Sequence, residues 1–322
     1  MKLILFKILD LLKNILSKLG INKRTAGIGV VYNFLIKEFW PYKDIIDIQG
    51  SKMYLNIKNE SPAMIETFST YAFNKIHERA TTELFKKVVK RGDTVIDLGA
   101  NIGYFSLLAA KIVGQSGKVY SFEPEPKNYS YLTKNININN YIQVSAFQKA
   151  VSDKNGKIKL YICDYDSGHH TIDKYEGIEA YSRGRATKEH SIEIETVRLD
   201  DIFQGKEESI GVIKMDVEGA EALALAGMDT ILRKNKKLKM FIEFFPLLIE
   251  KMGNSPNEFI RKIFEDYRFS VYIIPDDYNA SKGEMKKIHS VGEVMSFRKE
   301  EEDHINLFLE HDENNKISFK KN

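Results

Sequence analysis

The chain has 322 residues, 43% of them hydrophobic, enough for one large domain or a core domain with an appendage. Its net charge is only +3 with 29% charged residues, a balance that argues against a nucleic-acid binder with a strongly basic surface. The single cysteine, Cys163, excludes an intrachain disulfide and reads as a small buried hydrophobe rather than a nucleophile.

Residues 1–44 form an N-terminal amphipathic helical segment. Lys2, Lys7, Asp10, Lys13, Asn14 and Lys18 recur at helical spacing among Leu and Ile, and Gly20 is a stop signal. Lys7, Asp10 and Lys13 break the apolar run, so it matches neither a signal peptide nor a membrane span. Two readings stay open: a helix packed on protein, or a peripheral membrane contact through residues 1–20 with lysines facing an anionic surface. Residues 45–90 are a lead-in, with a hairpin over 45–59 turning near Gly50 and a helix over 62–90 that stops at Arg91-Gly92.

From 91 to 310 short apolar runs alternate with helical segments: Thr94–Leu98, Lys118–Phe122, Gln143–Phe147, Gly211–Met215, Met240–Phe244 and Ser270–Ile274. That alternation predicts parallel strands with crossover helices, a doubly wound α/β sheet. Two further strand-like stretches, Lys157–Ile162 and Ser191–Arg198, flank a polar segment from Asp164 to Glu189 that reads as a loop or lid. Ile305–Leu309 is a last strand, and 311–322 is a polar tail.

Three motifs carry chemistry. In Asp97-Leu-Gly99-Ala100-Asn101-Ile-Gly103-Tyr104 a strand runs through a glycine turn into a helix. The glycines allow a sharp bend and close ligand approach, and Asn101 tolerates left-handed geometry. The spacing departs from the dinucleotide fingerprint, and the carboxylate of Asp97 would repel a pyrophosphate but pair with an ammonium. In Phe122-Glu123-Pro-Glu125-Pro a strand ends on an acid, where nucleoside-binding α/β folds hold ribose hydroxyls. In Lys214-Met-Asp216-Val-Glu218-Gly-Ala-Glu221 a third strand delivers Asp216 to the same sheet edge, with no accompanying ligand set for a metal.

Together these motifs resemble the FkbM-type methyltransferases. VIDLGANIGYFSLLAAK, GKVYSFEPEPKNYSYLTKNININN, KAVSDKNGKIKLYI, VRLDDIF, GVIKMDVEGAEALALAGM and FIEFFP stand in that family's order, and the resemblance covers about 45 to 310. It implies a class I methyltransferase (Rossmann-like) fold with a seven-stranded sheet and an N-terminal helical extension. S-adenosylmethionine would be the donor, and hydroxyls of sugars, lipids or polyketides the acceptors. It implies that Asp97, Gly99, Ala100, Asn101, Gly103 and Tyr104 line the methionine side, that Glu123 holds the ribose, and that Ala150 and Val151 flank the adenine. It further implies that Glu78 reaches the cofactor and that Asp216 faces the reacting methyl.

A hydroxyl acceptor gains from a base. Asp216 is one candidate, and His170, in Ser167-Gly-His-His-Thr, is the other. The expected protein is a cytoplasmic O-methyltransferase, with a peripheral position at the membrane surface as the open alternative, that takes a small-molecule or glycan acceptor and not nucleic acid. The rivals are a nicotinamide-dependent enzyme and a degenerate methyltransferase fold serving as a scaffold.

Overall fold

Thr94–Leu98 (β3) is apolar at most positions because both of its faces are covered: Val95 joins one core layer and Ile96 the other. The computed structural model describes residues 8, 11, 28–40, 44–57, 60, 62–162, 170, 191–275, 285–297 and 304–311.

The chain begins with helix α1 (Ile28–Phe39) and a two-stranded hairpin, β1 (Ile45–Ile48) and β2 (Ser51–Tyr54). Gln49 and Gly50 both take positive φ, 54° and 76°, which closes the hairpin in two residues. Helices α2 (Pro62–Asn74) and α3 (Arg79–Val88) follow. The single helix expected over 62–90 is therefore corrected to two. Lys75 and Glu78, with φ of 55° and 39°, break it and leave Glu78 at the N-cap of α3.

β3, β4 (Lys118–Phe122), β5 (Val144–Phe147), β9 (Ile210–Met215) and β10 (Lys239–Phe244) pair in parallel. β13 (Ile305–Glu310) lies antiparallel between β10 and β11 (Ser270–Ile273). The order is β12-β11-β13-β10-β9-β3-β4-β5, eight strands rather than the seven expected. The extra one is β12 (Lys286–Ile288), a three-residue edge strand on β11 whose sequence is too short to show alternation. Ala150–Val151 (β6), Gly156–Tyr161 (β7) and Ser191–Val197 (β8) make a separate three-stranded sheet.

One face of the large sheet packs on α1, α2, α3, α4 (Tyr104–Val113) and α5 (Pro126–Ile138). The other face packs on α6 (Leu199–Ile202), α7 (Glu221–Ala226), α8 (Asp229–Lys234), α9 (Pro246–Lys251), α10 (Pro256–Glu265) and α11 (Val291–Met295). The hairpin is tied to α5 through two asparagines one turn apart. Asn135 Oδ1 accepts from Tyr54 N at 2.6 Å, and Asn139 exchanges bonds with Lys52 N and O at 2.8 and 2.7 Å. These side chains pair what would otherwise be a bare strand edge. Among the described residues no helix is long and apolar enough to cross a membrane.

Candidate active site

The carboxyl ends of β3, β4, β9 and β10 converge where a doubly wound sheet binds ligands. The turn after β3 is fixed first. Gly99 N and Ala100 N both donate to Phe122 O, at 2.9 and 3.0 Å. Gly99 has φ +78°, and a Cβ there would lie 1.7 Å from Asp216 O, so the two strand ends meet through a bare backbone. Asn101 follows at φ 49°, the left-handed geometry expected of it, and Gly103 at φ 102° starts α4.

Glu123 clamps this turn from β4. Its Oε2 accepts from Asn101 N at 2.7 Å and its Oε1 from Glu125 N at 2.9 Å. Burial pushes its carboxyl up to about 8, against those two backbone bonds. Glu125 is a helix cap, accepting from Asn128 N at 2.6 Å. Asp97 is turned inward and is only 3% exposed; its Oδ2 accepts from Ser106 Oγ at 2.5 Å. Burial raises it to about 6, with Ser106 and Lys214 pulling the other way. Tyr104 is also buried, stacked 5.4 Å from Tyr71 with its hydroxyl 3.2 Å from Thr82 Oγ1. Ala150 is half-buried and Val151 buried, in the short strand β6 beyond Phe147.

Across β9 and β10 lies a group that the motifs named only in part. Lys214, 1% exposed, points into it. Its Nζ is 3.5 Å from Asp216 Oδ2, 3.8 Å from Glu78 Oε2 and 5.1 Å from the Phe105 ring centre. In the register, Asp97 and Phe241 flank Lys214 on either side. The carboxylate oxygens of Glu78, Asp216 and Glu243 lie within 4.8 Å of one another. Burial opposes charge on Glu78, yet Lys214, His77 and Thr81 bring it down to about 2. Burial and then Asp216 drive Glu243 well above the carboxylate range. Burial also opposes charge on Lys214, but the surrounding acids outweigh it and raise it. Glu243 Oε1 is 3.2 Å from His304 Nε2, on the residue preceding β13.

Lys214, Glu243 and His304 were missed in the sequence. The signal for two of them was present: a lone charged residue inside a strand whose neighbours are all apolar, VIKM and FIEF, is drawn wholly (Lys214) or largely (Glu243) out of water and must have a partner. His304 stands beside Glu243 only through strand pairing. Glu221, 1% exposed, accepts from Gly219 N at 3.0 Å and is raised by burial to about 8. His170 is half-buried, and its neighbours in the expected lid, 163–169 and 171–190, lie outside the described residues. So do residues 1–7 and 12–20 of the N-terminal segment and the tail from 312 onward.

This edge fits a cationic donor. Glu78 Oε2 is buried without a hydrogen bond, and Lys214 is the cation that faces the three carboxylates among the described residues. A sulfonium and ammonium would lower the surplus of negative charge, whereas a pyrophosphate would raise it.

The Methyltransferase FkbM domain matches residues 97–271. Methyltransferase sdnD of Sordaria araneosa is 29% identical over 202 residues, 52% of this chain and 76% of that protein. The 2-O-methyltransferase NoeI of Sinorhizobium fredii is 27% identical over 174 residues, 50% of this chain and 66% of that protein. The 31-O-demethyl-FK506 methyltransferase FkbM of Streptomyces tacrolimicus is 29% identical over 161 residues, 44% of this chain and 61% of that protein. The matches therefore span less than two thirds of the last two proteins. The crystal structure of a methyltransferase FkbM from Methylobacillus flagellatus aligns at 13% identity and TM-score 0.37, over 78% of this chain and 55% of that one. With the domain match spanning most of the strands that build this edge, the chain belongs to the FkbM methyltransferase family and is an S-adenosylmethionine-dependent methyltransferase.

Proposed function

We propose that the methyl group goes to a hydroxyl oxygen of a sugar, glycolipid or other small-molecule or glycan acceptor. The observation that carries this reading is Asp216, a carboxylate 27% exposed at the sheet edge, with its flank held by Lys214. A carboxylate so placed accepts the proton a hydroxyl loses on methylation. The names of NoeI and FkbM, both acting at oxygen, support the same class of acceptor.

The bound donor supplies an electrophilic methyl; the chain supplies the rest. Glu123 receives the ribose hydroxyls, Gly99, Ala100, Asn101 and Gly103 let the backbone approach the methionine end, and Ala150 and Val151 border the adenine. Glu78 takes the positive end, and Asp97 supports the turn from beneath through Ser106. His170 is a second base candidate. The N-terminal segment makes a peripheral membrane contact in this reading, supported by Ile8 at 44% and Leu11 at 60% exposure.

The experiment is an acceptor screen over sugars and glycolipids, read by released S-adenosylhomocysteine. Asp216→Ala abolishes turnover; His170→Ala lowers it with cofactor affinity kept, and an unchanged rate removes His170 from the base role. No S-adenosylmethionine binding to folded protein by calorimetry moves the scaffold reading to the front.

A further inference from the structure

We propose that Asp216, Glu243 and His304 form a proton path leading from the acceptor pocket to solvent. This rests on the reading of Asp216 as the base. The three groups come from different strands and touch in series. Glu243 continues the parallel register of β10 beside Asp216 at the end of β9, and its oxygens lie within 4.8 Å of those of Asp216 and Glu78. Its Oε1 is 3.2 Å from His304 Nε2, and the imidazole is 31% exposed. Glu243 thus faces Asp216, Glu78 and Lys214 on one side and His304 on the other; His304 faces Glu243 and, at 6.2 Å, the Phe245 ring.

The acceptor oxygen bonds the methyl carbon as the carbon–sulfur bond breaks with its electron pair to sulfur. The hydroxyl proton goes to Asp216. At rest Glu243 holds a proton directed at Asp216, because burial and the neighbouring Asp216 raise it well above the carboxylate range. After transfer they hold two. The surplus passes from Glu243 Oε1 to His304 Nε2 and from the imidazolium to water. Donor and acceptor bound against Asp216 would cover it, while the His304 imidazole, 31% exposed, gives the proton a second way out.

The test needs no acceptor. His304 is titrated by NMR in the protein saturated with S-adenosylhomocysteine, in wild type, Asp216→Asn, Glu243→Gln and the double variant. Simple loss of a nearby negative charge lowers a histidine midpoint. A shared proton gives the opposite sign: with Asp216 neutral, Glu243 ionises more readily and holds the imidazolium, so Asp216→Asn raises the His304 midpoint by about one unit. Glu243→Gln lowers the midpoint, and the double variant matches Glu243→Gln alone. A fall or no change in Asp216→Asn overturns the path, as does a persisting Asp216 effect in the double variant. Full methyl transfer by Asp216→Asn in the acceptor screen would instead overturn the base reading on which the path rests.

Discussion

Glu123 couples donor binding to pH. Its carboxyl is raised to about 8 by burial, so the folded protein without donor holds a proton there that the unfolded chain has released. The stability this brings is complete below the ordinary carboxylate range, about pH 4, and is lost as pH rises through about 8. Ribose hydroxyls donate to the ionised form. Affinity for S-adenosylhomocysteine should then rise about tenfold per pH unit up to about 8, and Glu123→Gln should flatten the profile in calorimetry. Glu221 is raised to about 8 as well, so the variant removes only part of the alkaline loss of stability. Lys214 is the other residue on which the site turns. Lys214→Met leaves Glu78 and Asp216 without their buried cation and should cost about 3–5 kcal/mol in urea denaturation. Lys214→Arg keeps the charge and should recover part of that.

At the level of elements, the turn between β3 and α4 and the end of β9 are one unit, since Gly99 and the Asp216 carbonyl leave no room between them. Gly99→Ala has to push these strand ends apart and adopt a φ of +78°. It should abolish S-adenosylhomocysteine binding in calorimetry while far-UV circular dichroism at low temperature stays close to wild type. This turn was legible in the sequence, because its glycines, Asn101 and Asp97 act through local backbone geometry. So were β3 and β4, whose predicted limits coincide with the observed ones. The break between α2 and α3 was not, because 62–90 carries no proline or glycine at Lys75–Glu78 and only packing imposes the positive φ values. That break is what brings Glu78 to Lys214, so a motif reading places Glu78 near the donor without showing why. Glu243 and His304 were hidden for a different reason: their meeting depends on β10 pairing with β13, far apart in the chain.

For the whole molecule, the lead-in over 45–90 is continuous with the core rather than appended to it: Ile46, Met53, Phe68 and Phe85 share one apolar layer with Val95 and Leu107. Removing residues 1–20 should weaken binding to anionic vesicles in a sedimentation assay while leaving S-adenosylhomocysteine affinity unchanged; equal sedimentation would assign that segment to protein packing. In the small second sheet, β7 and β8 flank in sequence the stretch expected to act as a lid. The position of β13 between β10 and β11 carries a consequence for biosynthesis. A nascent chain that has emerged only as far as Phe297 already contains every cofactor-motif residue, yet β10 and β11 still lack the strand that joins them. The ribosome must deliver Ile305–Glu310 before β10 and β11 can be joined, so His304 meets Glu243 only once that late strand has been made.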